Sequence, residues 1–172
     1  MTLERGDHVQ DTVQLYNAFS RTVYITPRTG SIADRKIELN LEQWTRDILE
    51  ALNACDYTNE ALQHLVPDFK SDRETVEGQH VQPVTKDEFL AKHQHWSTLV
   101  PQRTLKALDV VCNFDSRKGK ADVWAWVKVS GWGAGHMDSE SVSCFKWQRS
   151  QDIWWCHQHT GMRGFTPMQC SY

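Results

Sequence analysis

The residues able to do chemistry in this chain are histidines and carboxylates set into apolar patterns. In Phe89-Leu90-Ala91-Lys92-His93-Gln94-His95-Trp96, the residues Phe89, His93, Trp96 and Val100 share one helical face. A histidine on such a face is either a core residue bonded to a backbone carbonyl or an acid–base group whose pKa burial has moved. Asp56 follows a striped helix and reads either as the cap of the next helix or as a pocket acid. Asp109 interrupts the apolar strand ALDVVCNF. Alternation sets it opposite Leu108, Val110, Cys112 and Phe114, facing solvent unless a bulge turns it inward. His157 and His159, two apart on a strand, are expected to point the same way as pocket acid–base groups or edge polar residues. A shared metal would need a third ligand, and only His136 and Asp138 lie in the turn before the neighbouring strand. No metal and no cofactor is expected, since H-E-x-x-H, Cys-pair, G-x-G-x-x-G and P-loop patterns are all missing.

Around these lie residues suited to holding a substrate. Tyr57, Trp96 and Trp154 could form an aromatic wall, or simply fill core. Ser141 and Ser143 alternate within one strand; no G-x-S-x-G elbow surrounds them, so they read as hydrogen-bonding groups and not nucleophiles. Arg163 closes the last strand beside two glycines, placed to hold an anionic or enolate oxygen or to make a surface ion pair.

The elements that must position these groups divide the chain in two. Residues 1–40 read as an irregular N-terminal arm, and 41–172 as one α+β domain. Leu41, Trp44, Ile48, Leu52 and Cys55 form a helical stripe, with Asn40 as expected N-cap and Gln43 as its capping-box partner. A second short helix is expected over Glu60 to Val66, stopped by Pro67. Thr85, with Glu88 three residues on, should cap a third helix that ends before Pro101. Four strand-like segments follow: Thr104 to Asp115, Lys120 to Gly133, Ser139 to Arg149 and Ile153 to Met162. Helices first and an antiparallel meander last imply helices packed on one face of a curved sheet around a pocket.

Composition narrows the partners. A net charge of -3 without a basic stripe argues against nucleic acid. No apolar run reaches the roughly 20 residues of a membrane helix, and the polar start MTLERGDHVQ disfavours secretion, so a cytoplasmic protein is expected. The 5 cysteines show no C-x-x-C spacing and read as free thiols. In the second strand Ala121, Val123, Ala125, Val127 and Val129 make an aliphatic face for the helices to cover. Asp122, Trp124, Trp126 and Lys128 make the other. Two tryptophans on an outer face call for a cover, either a second copy of the chain or the N-terminal arm.

The order of elements resembles the nuclear transport factor 2-like superfamily, which includes SnoaL-like polyketide cyclases, ketosteroid isomerase and scytalone dehydratase. The residues that carry the likeness are the acidic turn Asn53-Ala54-Cys55-Asp56-Tyr57, the closing strand Gln151-Asp152-Ile153-Trp154-Trp155-Cys156-His157-Gln158-His159, and the tail Thr160-Gly161-Met162-Arg163-Gly164, which is similar to fungal members. The likeness covers roughly residues 41–164. It implies a cone of helices and curved sheet with a pocket at its open end, used for cofactor-free acid–base work or for binding alone. It further implies that Ser141 and Ser143 face that pocket and hydrogen-bond the substrate. Together with the residues, this gives a cofactor-independent isomerase, cyclase or dehydratase for a polycyclic or polyketide-like small molecule. His93, Asp56, Asp109 and His159 are then the acid–base groups, and the alternative is a non-catalytic binding protein or homodimeric interaction module.

Overall fold

The computed structural model describes residues 31–72, 82–132 and 137–163. Helix α1 (Ile32–Asn53) starts nine residues before the apolar stripe that announces it. Its cap is Ser31, whose hydroxyl accepts from the Asp34 amide at 3.1 Å while the Asp34 carboxylate accepts from the Ser31 amide. The expected boundary at residue 40 therefore falls inside a helix, and Asn40 is not its cap. The early turns escaped the pattern because burial becomes regular only from Leu41, through Thr45, Ile48, Leu49 and Leu52.

A short 3₁₀ helix (Glu60–His64) replaces the second α-helix, and the chain extends at once into strand β1 (Leu65–Asp72). Pro67 is not a helix stop but sits where β1 loses register with its neighbour, between Leu65 and Lys70. After β2 (Val84–Thr85), helix α2 (Lys86–Leu99) opens on the expected Thr85–Glu88 capping box. Strands β3 (Thr104–Asp115), β4 (Lys120–Trp132), β5 (Met137–Ser150) and β6 (Ile153–Arg163) complete a six-stranded sheet in the order β2-β1-β6-β5-β4-β3. All neighbours run antiparallel except β1 and β6, which are parallel.

The aliphatic face of β4 points inward, with Val123 and Ala125 fully covered, and Trp124 on the opposite face is 41% exposed. Trp147 and Phe145 from β5 complete the core against Leu41 and Ile48. A polar tie inside it is economical: the Trp147 indole N–H donates to Thr45 Oγ1 at 3.2 Å, and that hydroxyl donates to the Leu41 carbonyl. Side chains of α1 also reach the free edge of β3. Asn53 Oδ1 accepts from the Leu105 amide at 2.6 Å, and Glu42 Oε1 from the Cys112 amide at 3.0 Å. Those two amides stand seven residues apart and still share an edge because a bulge at Leu108 adds one residue between them.

Candidate functional site

Three phenylalanines and two histidines meet where α2 crosses β1, β6 and β5. Phe89, from the first turn of α2, is buried with its ring centroid 5.4 Å from Phe69 of β1. One turn along α2, the His93 ring meets Phe89 edge-on at 4.8 Å. His159 of β6 lies against the same Phe89 ring at 5.3 Å and against Phe145 at 4.7 Å. The two histidines thus flank one phenylalanine, brought from a helix and a strand 66 positions apart by register and helical phase.

The strand ladder fixes His159 further. Ser71 is its register partner on β1, and the buried Ser71 hydroxyl lies 3.0 Å from His159 Nδ1. A β-carbon at Gly161, the next inward position on β6, would stand 3.4 Å from His159 Cε1, so glycine leaves the ring its room. Burial, the largest cause, pushes the His159 pKa down to about 4, helped by the Lys92 charge and opposed by Asp72. His93 is pushed down to about 3, first by burial, then by the charges of Arg103, His159 and Lys92. Both imidazoles are neutral at neutral pH. His93 Nδ1 is enclosed and has no hydrogen-bond partner among the described residues.

A second polar corner lies in the turns that follow α1 and α2. Tyr57, in the turn after α1, has its hydroxyl enclosed without a well-formed hydrogen bond among the described residues. Ser97 of α2 is near enough to favour the phenolate, but its own hydroxyl donates to the Gln94 carbonyl at 2.7 Å, and burial wins, raising the Tyr57 pKa. Arg103, half-buried in the turn between α2 and β3, is weakened as an acid–base cation chiefly by burial and supported by Tyr57 and Cys55. Its charge is felt at both Tyr57 and His93.

The other expected residues separate. Asp56 is a surface turn residue: its carboxylate accepts from the Thr58 amide and hydroxyl and from Asn59 Nδ2, bonds that lower its pKa. Asp109 accepts from the Val110 amide and pairs with Trp126, on the outer face. There is a bulge, but it works the other way: Leu105 and Ala107 face inward before it, Val110 and Cys112 after it, and Leu108 is left 41% exposed. His157 and His159 do not point the same way. His157 is the extra residue of a bulge opposite Lys146 and Trp147, among the charges of Lys120, Lys146, Asp68 and Asp122, while His159 faces inward. Trp154 is core, edge-on to Phe114 at 5.6 Å. Ser143 is buried on the inward face of β5 beside Gly161, with Ser141 half-buried two residues on; Trp96 is half-buried on α2. Arg163 pairs with Ser141 in the ladder, and its side chain lies outside the described residues.

Sequence reasoning missed Ser71 and Arg103. Ser71 is signalled only by its alternation with Phe69 inside a polar stretch, and Arg103 by nothing beyond its place between a helix and a strand. Among the described residues no group of three His, Cys, Asp or Glu could hold a metal, and Cys112, Cys144 and Cys156 are buried thiols. No described helix is long and apolar enough to cross a membrane. An open groove of about 690 Å³ lies between α1, the 3₁₀ helix and the start of β6, lined by Trp44, His64 and Trp155 with Asp47, Glu50 and Glu60. It shares no lining residue with the histidine cluster.

Comparison with known proteins finds the fold and not the sequence. No family model matches the chain, and no curated protein matches it. Solved structures do. A candidate scytalone dehydratase from Novosphingobium aromaticivorans superposes with a TM-score of 0.59 at 12% identity, covering 78% of this chain and 89% of that one. A candidate aromatic ring hydroxylase from the same organism gives 0.58 at 14% identity, over 80% and 94%. An NTF2-like protein with a cystatin-like fold, also from that organism, gives 0.55 at 11% identity, over 76% and 81%. The chain has the α+β, cystatin-like fold of the NTF2-like proteins.

Proposed function

We propose that this chain is a cofactor-independent acid–base enzyme, an isomerase, cyclase or dehydratase, that acts on a small polycyclic or polyketide-like metabolite. The observation that carries the reading is the pair of neutral, half-buried imidazoles, His93 and His159, on either side of Phe89. A neutral imidazole can take a proton or deliver a hydrogen bond, and apolar walls strengthen both actions. Ser71 holds His159 by Nδ1, which leaves Nε2 for chemistry. Ser143 and Tyr57 supply polar contacts on the inward face, and Asp56, Asp109 and His157 have no part. The scytalone dehydratase and ring hydroxylase neighbours support the reading as proteins of one fold, in line with the resemblance to SnoaL-like cyclases and fungal dehydratases. Buried thiols fit a reducing, cytoplasmic setting.

The test is turnover of a panel of hydroxylated aromatic ketones and cyclic polyketide mimics by the full chain. His93→Gln and His159→Gln should each lower kcat by about 10²–10⁴-fold with the fold intact. Turnover that survives both substitutions rejects the assignment.

A second reading is a non-catalytic protein that pairs with its own copy through the outer sheet face. Trp124, 41% exposed, and Trp126, whose indole donates to Glu140 at 3.0 Å, support it. Sedimentation at the monomer mass removes the dimer.

A further inference from the structure

We propose that the open groove between α1, the 3₁₀ helix and the start of β6 is a second ligand site, one that takes a small organic cation with an apolar body. The groove measures about 690 Å³, the size of a small-molecule site, and stands apart from the histidine cluster. Its aromatic lining is held in place from behind. Trp44 of α1 stacks on His64 at 4.7 Å, with 26° between the rings. Trp147 of the core backs both, 5.9 Å from Trp44 and edge-on to His64 at 5.7 Å. Half-buried Trp155 and exposed Ile153 of β6 continue the apolar lining. Ala51, Ala54 and Ala61 also line the groove, and side chains this small leave it open.

Charge selects the occupant. Asp47, Glu50 and Glu60 line the groove, and among the described residues no lysine or arginine does. None of the three carboxylates has an ion-pair partner among the described residues. Asp47 accepts from Gln43 Nε2 at 2.8 Å, a bond that fixes the carboxylate without neutralising it. Trp44, Asp47, Ala51 and Ala54 follow one another along a single flank of α1, a span of about 15 Å, so ring and carboxylate look into the same trough. The helix ends at this trough with no basic residue in its last turn, and the negative end of its dipole adds to the field of the carboxylates. His64 contributes in the same sense. Its Nδ1 lies 3.3 Å from the Trp154 carbonyl, which can only accept, so Nδ1 carries the proton and Nε2 of the neutral ring is an acceptor. Carboxylates, an imidazole acceptor and indole rings together suit a cation that donates hydrogen bonds, an ammonium or guanidinium on an aromatic or aliphatic body.

The experiment titrates the full chain with 2-naphthylmethylammonium, and separately with neutral 2-naphthylmethanol, following the tryptophan indole and histidine ring signals by NMR. The expected result is that the cation moves Trp44, Trp155 and His64 while His93 and His159 stay in place. It should bind roughly tenfold more tightly than the alcohol. Glu50→Gln with Glu60→Gln, both at exposed positions, should abolish that advantage and leave the affinity for the alcohol as it was. Unmoved His93 and His159 signals in the free double variant report an intact fold. Ala54→Leu, also at an exposed position, is the second variant: it keeps all three carboxylates, fills the trough, and should weaken both compounds. Equal affinity for cation and alcohol, or an advantage that survives the double substitution, overturns the proposal. So do shifts confined to His93 and His159, binding that Ala54→Leu leaves untouched, or no binding at all.

Discussion

Lowering the pH from 7 to 5 should destabilise this protein steeply, and two residues should account for most of it. His93 and His159 have folded pKa values of about 3 and about 4 against an ordinary 6.5. A histidine whose folded pKa is depressed stabilises the fold above the unfolded pKa. That stability drains as pH falls below 6.5 toward the folded value, because only the unfolded chain takes up the proton. Each pH unit below 6.5 removes about 1.4 kcal/mol per histidine. Down to pH 5 that is about 2 kcal/mol each and about 4 kcal/mol for the pair, a ceiling because both rings keep part of their surface accessible. The figure is insensitive to the depth of the shifts, since pH 5 lies above both folded values. Urea denaturation at the two pH values reads it: with a slope of about 2 kcal/mol per molar, the midpoint should fall by about 2 M. The His93→Gln/His159→Gln double variant should lose most of that pH dependence, and each single variant about half. Other titrating groups cancel in the comparison. A double variant as pH-sensitive as the parent would refute the burial of these rings as the cause.

Three further outcomes follow from local geometry. Thr45→Val leaves the Trp147 indole N–H in the core without its acceptor and should cost about 1–3 kcal/mol in urea denaturation, whereas Thr45→Ser should cost less than half as much. Ser71→Ala removes the partner of His159 Nδ1, and nitrogen-15 shifts of that ring should change from one dominant tautomer to a mixture; an unchanged spectrum would assign the tautomer to something else. At the β5–β6 hairpin both Gln151 and Asp152 have positive φ, so Gln151→Asn with Asp152→Gly should raise stability by about 1 kcal/mol, read from the thermal midpoint.

Much of the architecture was legible because it rests on short-range rules. The Thr85–Glu88 box, the aliphatic parity of β4 and the four long strands are each written within a few residues. What misled was any inference that carried parity across a whole strand. Asp109 faces outward as alternation has it, but a single inserted residue turns Leu108 outward as well, and another at His157 parts it from His159. Bulges leave little mark in composition, so two histidines two apart looked like neighbours on one face. His93 was legible from its helical face, and His159 from its strand. Their meeting over Phe89 depends on register between β1 and β6, strands 91 positions apart at the Leu65–Cys156 end of the ladder and joined in parallel, which no local pattern encodes. Arg103 was invisible for the same reason: its setting is made by Gly131, on a different element.

The acceptors that α1 offers to β3 have a consequence for crowding. At one margin of the sheet, Glu42 and Asn53 already occupy two of the amides an incoming strand would use; at the other, β2 offers only two residues for a strand to grip. Among the described residues neither margin is a good template, so strand-by-strand growth into fibrils is disfavoured at both. Contact between copies of a chain built this way is expected across a sheet face and not along its edges.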